Sequence, residues 1–231
     1  MNWNILWDNY DKLLAGAWTT LWMITLSLLV GLLLALVTAV MSTSKNGWLK
    51  WPAEIFSYIF RGTPMLIQLY IFYFGVRLFI GSIEGIEETI WFTFIRMSWL
   101  WAVIAMTLNT AAYTCEIIRG GIQNTPGGEI EAAKALGMSN ATMLRRIVLP
   151  SAMRRSLPAY GNEVIYMLHG SAVLSWVAVT DLTGAALLLR DEYYDPYVPF
   201  ISVAAIYLVI TATIVVFFKL LEKRYLSHLK R

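Results

Sequence analysis

Residues 13–44 read LLAGAWTTLWMITLSLLVGLLLALVTAVMSTS and contain no charged side chain. A helix needs about 20 consecutive apolar residues to cross the hydrocarbon core of a bilayer. This stretch is long enough, and it greatly exceeds the roughly 7–15 apolar residues of a secretory signal. The residues before it, Asp8, Asp11 and a single Lys12, do not form a basic region. We therefore expect a transmembrane helix that stays in the mature protein and is not cleaved as a signal peptide.

The composition of the whole chain agrees with this interpretation. Of 231 residues, 58% are hydrophobic and 14% are charged, whereas a soluble domain carries about 25% charged residues. Tryptophans lie near the ends of several apolar runs, where amphipathic rings favour the lipid–water boundary. These are Trp3, Trp7, Trp48, Trp51, Trp91, Trp99 and Trp101. The chain is predicted to be an all-α integral membrane protein.

Five apolar runs are candidate transmembrane spans. They cover residues 13–41, 55–80, 97–118, 158–180 and 197–219. The second run is interrupted by Arg61 and Pro64, and the fourth is short and contains His169. No internal repeat or low-complexity linker separates the runs, so residues 1–231 are interpreted as a single transmembrane domain.

The positions of lysine and arginine predict the orientation. Cations are concentrated after the first and third runs and in the C-terminal tail, at Lys45, Lys50, Arg119, Lys134, Arg145, Arg146, Arg154, Arg155, Lys219, Lys223, Arg224, Lys230 and Arg231. The opposite loops are richer in acids, namely Glu84, Glu87, Glu88, Asp191, Glu192 and Asp195. Because cytoplasmic loops carry an excess of Lys and Arg, we expect the N-terminus outside and the C-terminus in the cytoplasm.

Several chemistries lack their sequence signals. There is no Walker-type phosphate loop and no soluble region large enough for a nucleotide fold. Two histidines, His169 and His228, and the single Cys115 are too few for a metal site without carboxylate support. No serine lies in a nucleophile-elbow motif. We expect no cofactor and no catalysis, and the basic balance needs no nucleic acid because a cytoplasmic membrane face explains it.

Residues 119–157 form a long charged segment between the third and fourth runs. Thr125 is predicted to cap a helix with Pro126 at its first position. Glu129 and Glu131 would lie in the early turns, where the helix dipole favours acids. Gly137 suits the left-handed residue that ends a helix.

A second short helix is expected after that glycine. Ser139 can cap it, and it would run from about Asn140 to Leu149, where Pro150 helps to end it. Small side chains on one side would let another protein approach closely. An ordinary amphipathic connector on the membrane surface shows the same polarity, and physical arguments alone favour neither interpretation.

The spacing within this segment resembles the EAA motif of ABC-importer permease subunits. The matching residues are Glu131, Ala132, Ala133, Gly137, Ile147, Leu149 and Pro150. The resemblance implies that this loop forms a coupling helix, which docks in a groove on a partner ATPase subunit.

Three further motifs extend the resemblance over most of the chain. They are Phe60-Arg61-Gly62-Thr63-Pro64 with Gln68, Asn109-Thr110-Ala111-Ala112-Tyr113 with Glu116 and Arg119-Gly120, and Tyr160-Gly161-Asn162-Glu163-Val164 through His169-Gly170-Ser171-Ala172. They are similar to motifs of the polar-amino-acid branch of that family. A type I ABC-importer permease fold is implied.

Among the ionisable side chains within the predicted spans, the candidates for a functional role are Arg61, Glu116, Glu163 and His169. A charge at the centre of a span costs at least ~2.5–3.5 kcal/mol, so such residues normally face a bundle interior or a cavity. One interpretation is that Arg61 and Arg119 anchor helix ends, with Glu116 paired to one of them. Alternatively, Gly62 and Pro64 break the second span and place Arg61 beside a cavity.

Glu163 is the strongest candidate for substrate contact. A carboxylate there can hold an ammonium or guanidinium group, with Asn162 adding hydrogen bonds and Met167 and Ser171 on the same helical side. The alternative is a structural salt bridge to Arg61 or Arg155. Both remain open from sequence.

His169 departs from the commoner family pattern, Lys-Asp-Thr-Ser. The His form resembles importers of histidine, lysine, arginine and ornithine, or of arginine and opines. A weakly charged His beside the path repels a cation less than Lys does, but it can equally be a structural hydrogen-bonding residue.

The resemblance implies half of an ATP-driven importer in the bacterial inner membrane. Its partners would be two ATP-binding cassette subunits, a second permease subunit, an extracytoplasmic binding protein and a polar, cationic amino acid. The expected substrate contacts are Glu163, Asn162, Arg61, Thr63, Tyr113, His169 and Ser171. The alternatives are a permease for neutral polar amino acids such as glutamine, a self-sufficient secondary carrier, and a non-transporting scaffold.

Overall fold

The structure, a computed structural model, describes residues 3–226. Within that range the regular structure is entirely helical. The longer helices are Tyr10–Ser42, Gly47–Gly62, Ser98–Gln123, Leu149–Gly170 and Tyr197–Tyr225. The shorter α-helices are Asn4–Asp8, Met65–Tyr70, Arg77–Gly81, Trp91–Arg96, Gly127–Ala135, Asn140–Met143 and Leu182–Tyr193. π-Helical turns cover Ile71–Val76 and Leu144–Val148, and 3₁₀ turns cover Ile86–Glu88 and Ser171–Val177.

Three of the described helices are individually long and apolar enough to cross a membrane. They are the first span (Tyr10–Ser42), the third span (Ser98–Gln123) and the fifth span (Tyr197–Tyr225). Two bent pairs of helices also meet the criterion, which gives up to five spans within residues 3–226 if each pair crosses once. The five predicted runs therefore correspond to helices. The predicted tail cations Lys230 and Arg231, and His228, lie outside the described residues.

The second and fourth spans are the bent ones. The second consists of Gly47–Gly62 and Met65–Gly81, which meet at 105°. The fourth consists of residues 140–177 followed by Leu182–Tyr193, with a bend of 49°. The fourth span therefore extends past residue 180, where its predicted apolar run stopped, because a further helix follows the bend.

The third span is the centre of the bundle, and 72% of its most apolar window is buried. Its small residues allow close helix packing, as membrane interfaces require. A Cβ placed on Gly31 of the first span would lie 2.6 Å from Thr110 Cγ2 of the third. A Cβ on Gly121 would lie 2.8 Å from the Ala152 carbonyl oxygen of the fourth. Neither interface has room for one more methyl group.

The fifth span packs at the outside of the bundle, with 11% of its most apolar window buried. Leu208, Val209, Val216 and Phe217 are all more than half exposed. In a membrane protein such a surface faces lipid or another subunit, since apolar side chains are stable in either setting.

Two predictions about helix ends in residues 119–157 are wrong. Thr125 does not cap a helix: its Oγ1 accepts a hydrogen bond from Arg155 Nη2 at 3.1 Å, and the helix begins at Gly127 with Pro126 before it in an extended conformation. Pro150 does not end a helix either. It lies in the first turn of Leu149–Gly170, and the π-helical turn Leu144–Val148 precedes it. A shift in backbone bonding accommodates a residue that has no N–H group.

Candidate functional site

The break in the second span exposes backbone carbonyl groups inside the bundle. The Gln68 side-chain amide group donates to Phe60 O at 2.7 Å and to Thr63 O at 3.0 Å. Asn109 Nδ2 of the third span donates to Gln68 Oε1 at 2.9 Å. These two amides occupy the carbonyl groups that the interrupted helix leaves without intrahelical partners. The break is therefore a defined, hydrogen-bonded feature.

A cavity of about 390 Å³ lies beside this break. It is lined by Thr63, Pro64, Met65, Asn109, Tyr113, Glu163, Tyr166, Met167 and Gly170. These residues come from the second, third and fourth spans. Irregular backbone at membrane depth is tolerated where it lines a cavity, and transporters bind their substrates at such places.

Glu163 is the one charged side chain among the described residues that line this cavity. It is 6% exposed, and its Oε1 accepts a hydrogen bond from Thr110 Oγ1 at 2.9 Å. Neither sequence-suggested partner is paired with it: the ion pairs of Arg61 and Arg155 are with Glu116 and Glu129. A buried carboxylate with a neutral donor remains able to attract a cationic ligand.

The predicted substrate contacts divide into two groups. Thr63, Tyr113 and Glu163 line the cavity. Asn162, His169, Ser171 and Arg61 do not. Asn162 is exposed and is not among the residues that line the cavity.

His169 and Ser171 bond elsewhere. His169 Nε2 lies 3.3 Å from Thr211 Oγ1 of the fifth span. Ser171 Oγ is buried and donates to Leu168 O at 2.7 Å. Ser171 keeps the α-helical hydrogen bond from its N–H group to Met167 O, but it is fully buried and does not line the cavity.

Arg61 belongs to a separate polar cluster. Its Nε donates to Ser57 Oγ at 3.1 Å, and its Nη2 lies 3.8 Å from Glu116 Oε1. Ser57 Oγ in turn donates to Glu116 Oε1 at 3.0 Å, and the Arg119 guanidinium forms a close ion pair with Glu116 Oε2. The sequence-based alternative that Glu116 pairs with one of these arginines is confirmed, and both contribute.

Six lining residues were not predicted as contacts: Pro64, Met65, Asn109, Tyr166, Met167 and Gly170. Asn109 was available as a signal, because an amide in an otherwise apolar span must find a partner. Met167 also had a signal, because its four-residue spacing from Glu163 places it on the same helical side. Pro64 and Met65 had none, since their position depends on the angle at which the broken helix re-enters the bundle.

The cytoplasmic segment contains the predicted helix–glycine–helix unit. Gly137 has φ of 70°, the left-handed conformation in which glycine is favoured. Ser139 Oγ accepts from the Thr142 N–H group at 3.3 Å and caps the next helix. The predicted roles of Gly137 and Ser139 at these two helix ends are confirmed.

A groove of about 460 Å³ runs between the helix Gly127–Ala135 and the start of Leu149–Gly170. Ala132, Ala133, Ile147 and Pro150 line it, together with Glu129, Leu136, Met138, Arg146, Ser151, Arg154 and Arg155. Of the other predicted coupling residues, Glu131 and Gly137 are exposed and Leu149 is half-buried.

The two helices beside this groove are held together by polar contacts. Ser151 Oγ donates to Glu129 Oε2 at 2.9 Å, and Arg155 Nη1 lies 3.7 Å from Glu129 Oε1. The segment is thus a small structured platform, and Leu136 at its tip is 76% exposed.

Comparison with known proteins agrees with this arrangement. The family model of binding-protein-dependent transport system inner membrane components matches residues 14–227. The chain belongs to this family. Membership of this family explains both the fold and the resemblance of the motifs. The protein is a membrane component of a transport system and not an enzyme.

Curated relatives within the family include amino-acid permeases. The chain is 42% identical over 98% of its length to the histidine/lysine/arginine/ornithine transport system permease protein HisM of Escherichia coli K12, covering 93% of that protein. It is 39% identical over 94% of its length to the octopine transport system permease protein OccM of Rhizobium meliloti, with 87% of that protein covered. The nopaline transport system permease protein NocM of Agrobacterium fabrum is 42% identical over 91% of this chain and 86% of its own.

Solved structures show the same architecture. An amino acid ABC transporter crystallised with histidines matches with a TM-score of 0.85 and 33% identity, covering 97% of this chain and 99% of that one. The MetNI methionine ABC transporter in an inward-facing form has a TM-score of 0.76 at 20% identity, over 97% and 99% of the two chains. The second likeness concerns the fold alone.

Proposed function

We propose that the chain forms half of the translocation path of an ATP-driven importer for cationic amino acids. The path is the cavity at the break of the second span, and Thr63, Tyr113 and Glu163 contact the substrate. The observation that carries this proposal is the buried Glu163, because an ionisable group in a span is costly unless it serves a ligand, a path or a partner. With no cation paired to it in the described residues, an ammonium or guanidinium group is the matching ligand.

The names of the relatives support the same substrate class. The HisM relatives are named for histidine, lysine, arginine and ornithine transport. A carboxylate makes charge-assisted hydrogen bonds to each of their charged side chains. The lining amide and hydroxyl groups of Asn109, Thr63 and Tyr113 would suit a neutral polar amino acid such as glutamine, which is the alternative.

The platform around Gly137 is the proposed docking site for an ATPase subunit. The exposed Leu136 and the groove beside Ala132 and Ile147 offer an apolar contact, and Glu131 and Gly137 lie on the solvent side. Two such subunits, a second permease subunit and an extracytoplasmic binding protein complete the assembly. The N-terminus lies outside and the C-terminus in the cytoplasm, as the placement of Lys and Arg supports.

The substrate proposal is tested with Glu163→Gln, which keeps the shape of the side chain and removes its charge. A hydrogen bond to a charged group contributes about 1.5–3 kcal/mol, so uptake efficiency for arginine should fall by roughly ten- to a hundredfold. Uptake of glutamine, where measurable, should fall less. Uptake is measured with reconstituted complex and normalised to assembled protein.

The matched control is Glu54→Gln, because Glu54 is 43% exposed and pairs with Lys50 away from the cavity. This variant should transport arginine normally. Equal losses for arginine and glutamine in Glu163→Gln would assign Glu163 to structure and favour the neutral-substrate alternative.

A further inference from the structure

Gly170 lies opposite the break of the second span, on the far wall of the cavity. A Cβ at this position would lie 3.1 Å from Met65 Sδ and 4.0 Å from Met65 Cε. Both residues line the cavity. The methionine side chain is therefore seated against the bare backbone of the fourth span.

The backbone does not account for glycine at this position. Gly170 has φ of −63° and ψ of −29°, a helical conformation open to any residue. Gly170 is the last residue of its α-helix, and its φ is negative, so the left-handed conformation that favours glycine at helix ends is not used here. A glycine that the backbone does not require is explained by the space it leaves, and Met65 occupies that space.

The contact joins the two irregular elements that form the cavity. Met65 is the first residue of the helix that follows the break, and Gly170 is the last α-helical residue before the 3₁₀ turn Ser171–Val177. Methionine is flexible and fills irregular gaps. A methyl group on Gly170 would press on Met65 Sδ and shift the end of that side chain by a few tenths of an ångström, and the open space beside it is the cavity.

We propose that the Met65–Gly170 contact sets the depth of the substrate cavity and so determines the length of side chain that the permease accepts. Gly170 acts as a positioning residue through Met65. The inference rests on the proposed function, because it treats this cavity as the substrate site. It adds a size criterion to the charge criterion that Glu163 supplies.

The test compares two cationic amino acids of different length, arginine and 2,4-diaminobutyrate, with saturating binding protein and reconstituted complex. In Gly170→Ala, arginine uptake should fall roughly tenfold relative to uptake of diaminobutyrate, the scale of discrimination that one methylene produces in a pocket. Gly120→Ala is the matched control, since a Cβ on Gly120 meets nothing within 4 Å. Its uptake ratio should equal that of the unmodified protein.

Shortening the displaced side chain should reverse the effect. The double variant Gly170→Ala with Met65→Ala should restore the uptake ratio to within about twofold of the original, because the space lost to the new methyl group is returned. An unchanged ratio in Gly170→Ala, or a ratio that the double variant does not restore, would overturn the inference. Failure of the unmodified complex to transport either cation would instead contradict the proposed function.

Discussion

Two carboxylates in the membrane-spanning helices have very different surroundings. Glu116 accepts hydrogen bonds from Ser57 and Arg119 and faces Arg61. Glu163 accepts one hydrogen bond, from Thr110, and otherwise borders a cavity. Neutralisation by neighbours makes Glu116 structural, whereas Glu163 keeps the capacity to bind a cation.

Removal of the Glu116 carboxylate should therefore destabilise the fold. Glu116→Ala leaves Arg61 and Arg119 without their shared anion, and the expected loss in the free energy of unfolding is about 1–3 kcal/mol, reduced by the partial exposure of both arginines. Thermal unfolding of the purified complex in detergent measures it. Asp191→Ala is the control, because the pair of Asp191 with Arg190 is mostly exposed and should contribute less than about 1 kcal/mol. Equal melting temperatures for the two variants would remove the structural role of Glu116.

For single residues, the sequence predicted which kinds of side chain belong to the site better than it predicted where each one lies. Charged residues in apolar runs were identifiable because their burial is costly, and Glu163 does border the cavity. Asn162 and Ser171 were assigned to substrate contact from their positions on the helix of Glu163. In the structure neither lines the cavity, since Asn162 is exposed and Ser171 is fully buried. Sequence spacing does not show how the neighbouring helices cover each side of that helix.

At the scale of elements, close packing of helices depends on which glycines have neighbours. Gly120 and Gly121 are adjacent, yet only Gly121 lies against the fourth span, with Ser156 Oγ 2.5 Å from a Cβ at that position. Gly121→Ala should separate the two helices and cost about 1–3 kcal/mol, the usual penalty of overpacking. Gly120→Ala should be neutral. The test measures the yield and the melting temperature of both variants in parallel. Equal values for Gly121→Ala and Gly120→Ala would contradict this packing of the third span against the fourth.

The glycine at the turn of the cytoplasmic platform permits a test of coupling. Asn and Asp both tolerate the left-handed conformation that Gly137 adopts, so Gly137→Asn and Gly137→Asp differ mainly in charge. If the platform docks on an ATPase subunit, the Asp variant should lose that subunit or uncouple hydrolysis from uptake more severely than the Asn variant. Co-purification and the ratio of ATP hydrolysed to substrate imported provide the readout. Normal values for the Asp variant would show that this turn is not at the contact.

Sequence patterns anticipated the existence of the helices and the break at Pro64, because apolar run length and proline placement are local properties. They misplaced the helix ends at Thr125 and Pro150. At Thr125 a contact distant in sequence decided, because its hydroxyl group accepts a hydrogen bond from Arg155. At Pro150 a local change decided, because the π-helical turn Leu144–Val148 lies directly before the helix whose first turn contains Pro150.

For the molecule as a whole, the proposed orientation in the membrane rests on the placement of Lys and Arg. Glu87 and Asn140 are both exposed in the described chain, so accessibility of the side chain limits neither position. With the single Cys115 buried, Glu87→Cys should react with an impermeant thiol reagent in intact cells and Asn140→Cys should react only after permeabilisation. The reverse labelling pattern would invert the proposed topology.

The activity proposed for this chain is the import of cationic amino acids, driven by ATP hydrolysed on partner subunits. The direct test reconstitutes the co-purified complex in liposomes that enclose ATP and Mg²⁺ on the ATPase side, with the binding protein and labelled arginine outside. Arginine should accumulate in the vesicles, and accumulation should cease when a non-hydrolysable nucleotide replaces ATP. Accumulation driven by an imposed ion gradient without ATP would identify a secondary carrier, and no arginine uptake under any condition would contradict the account.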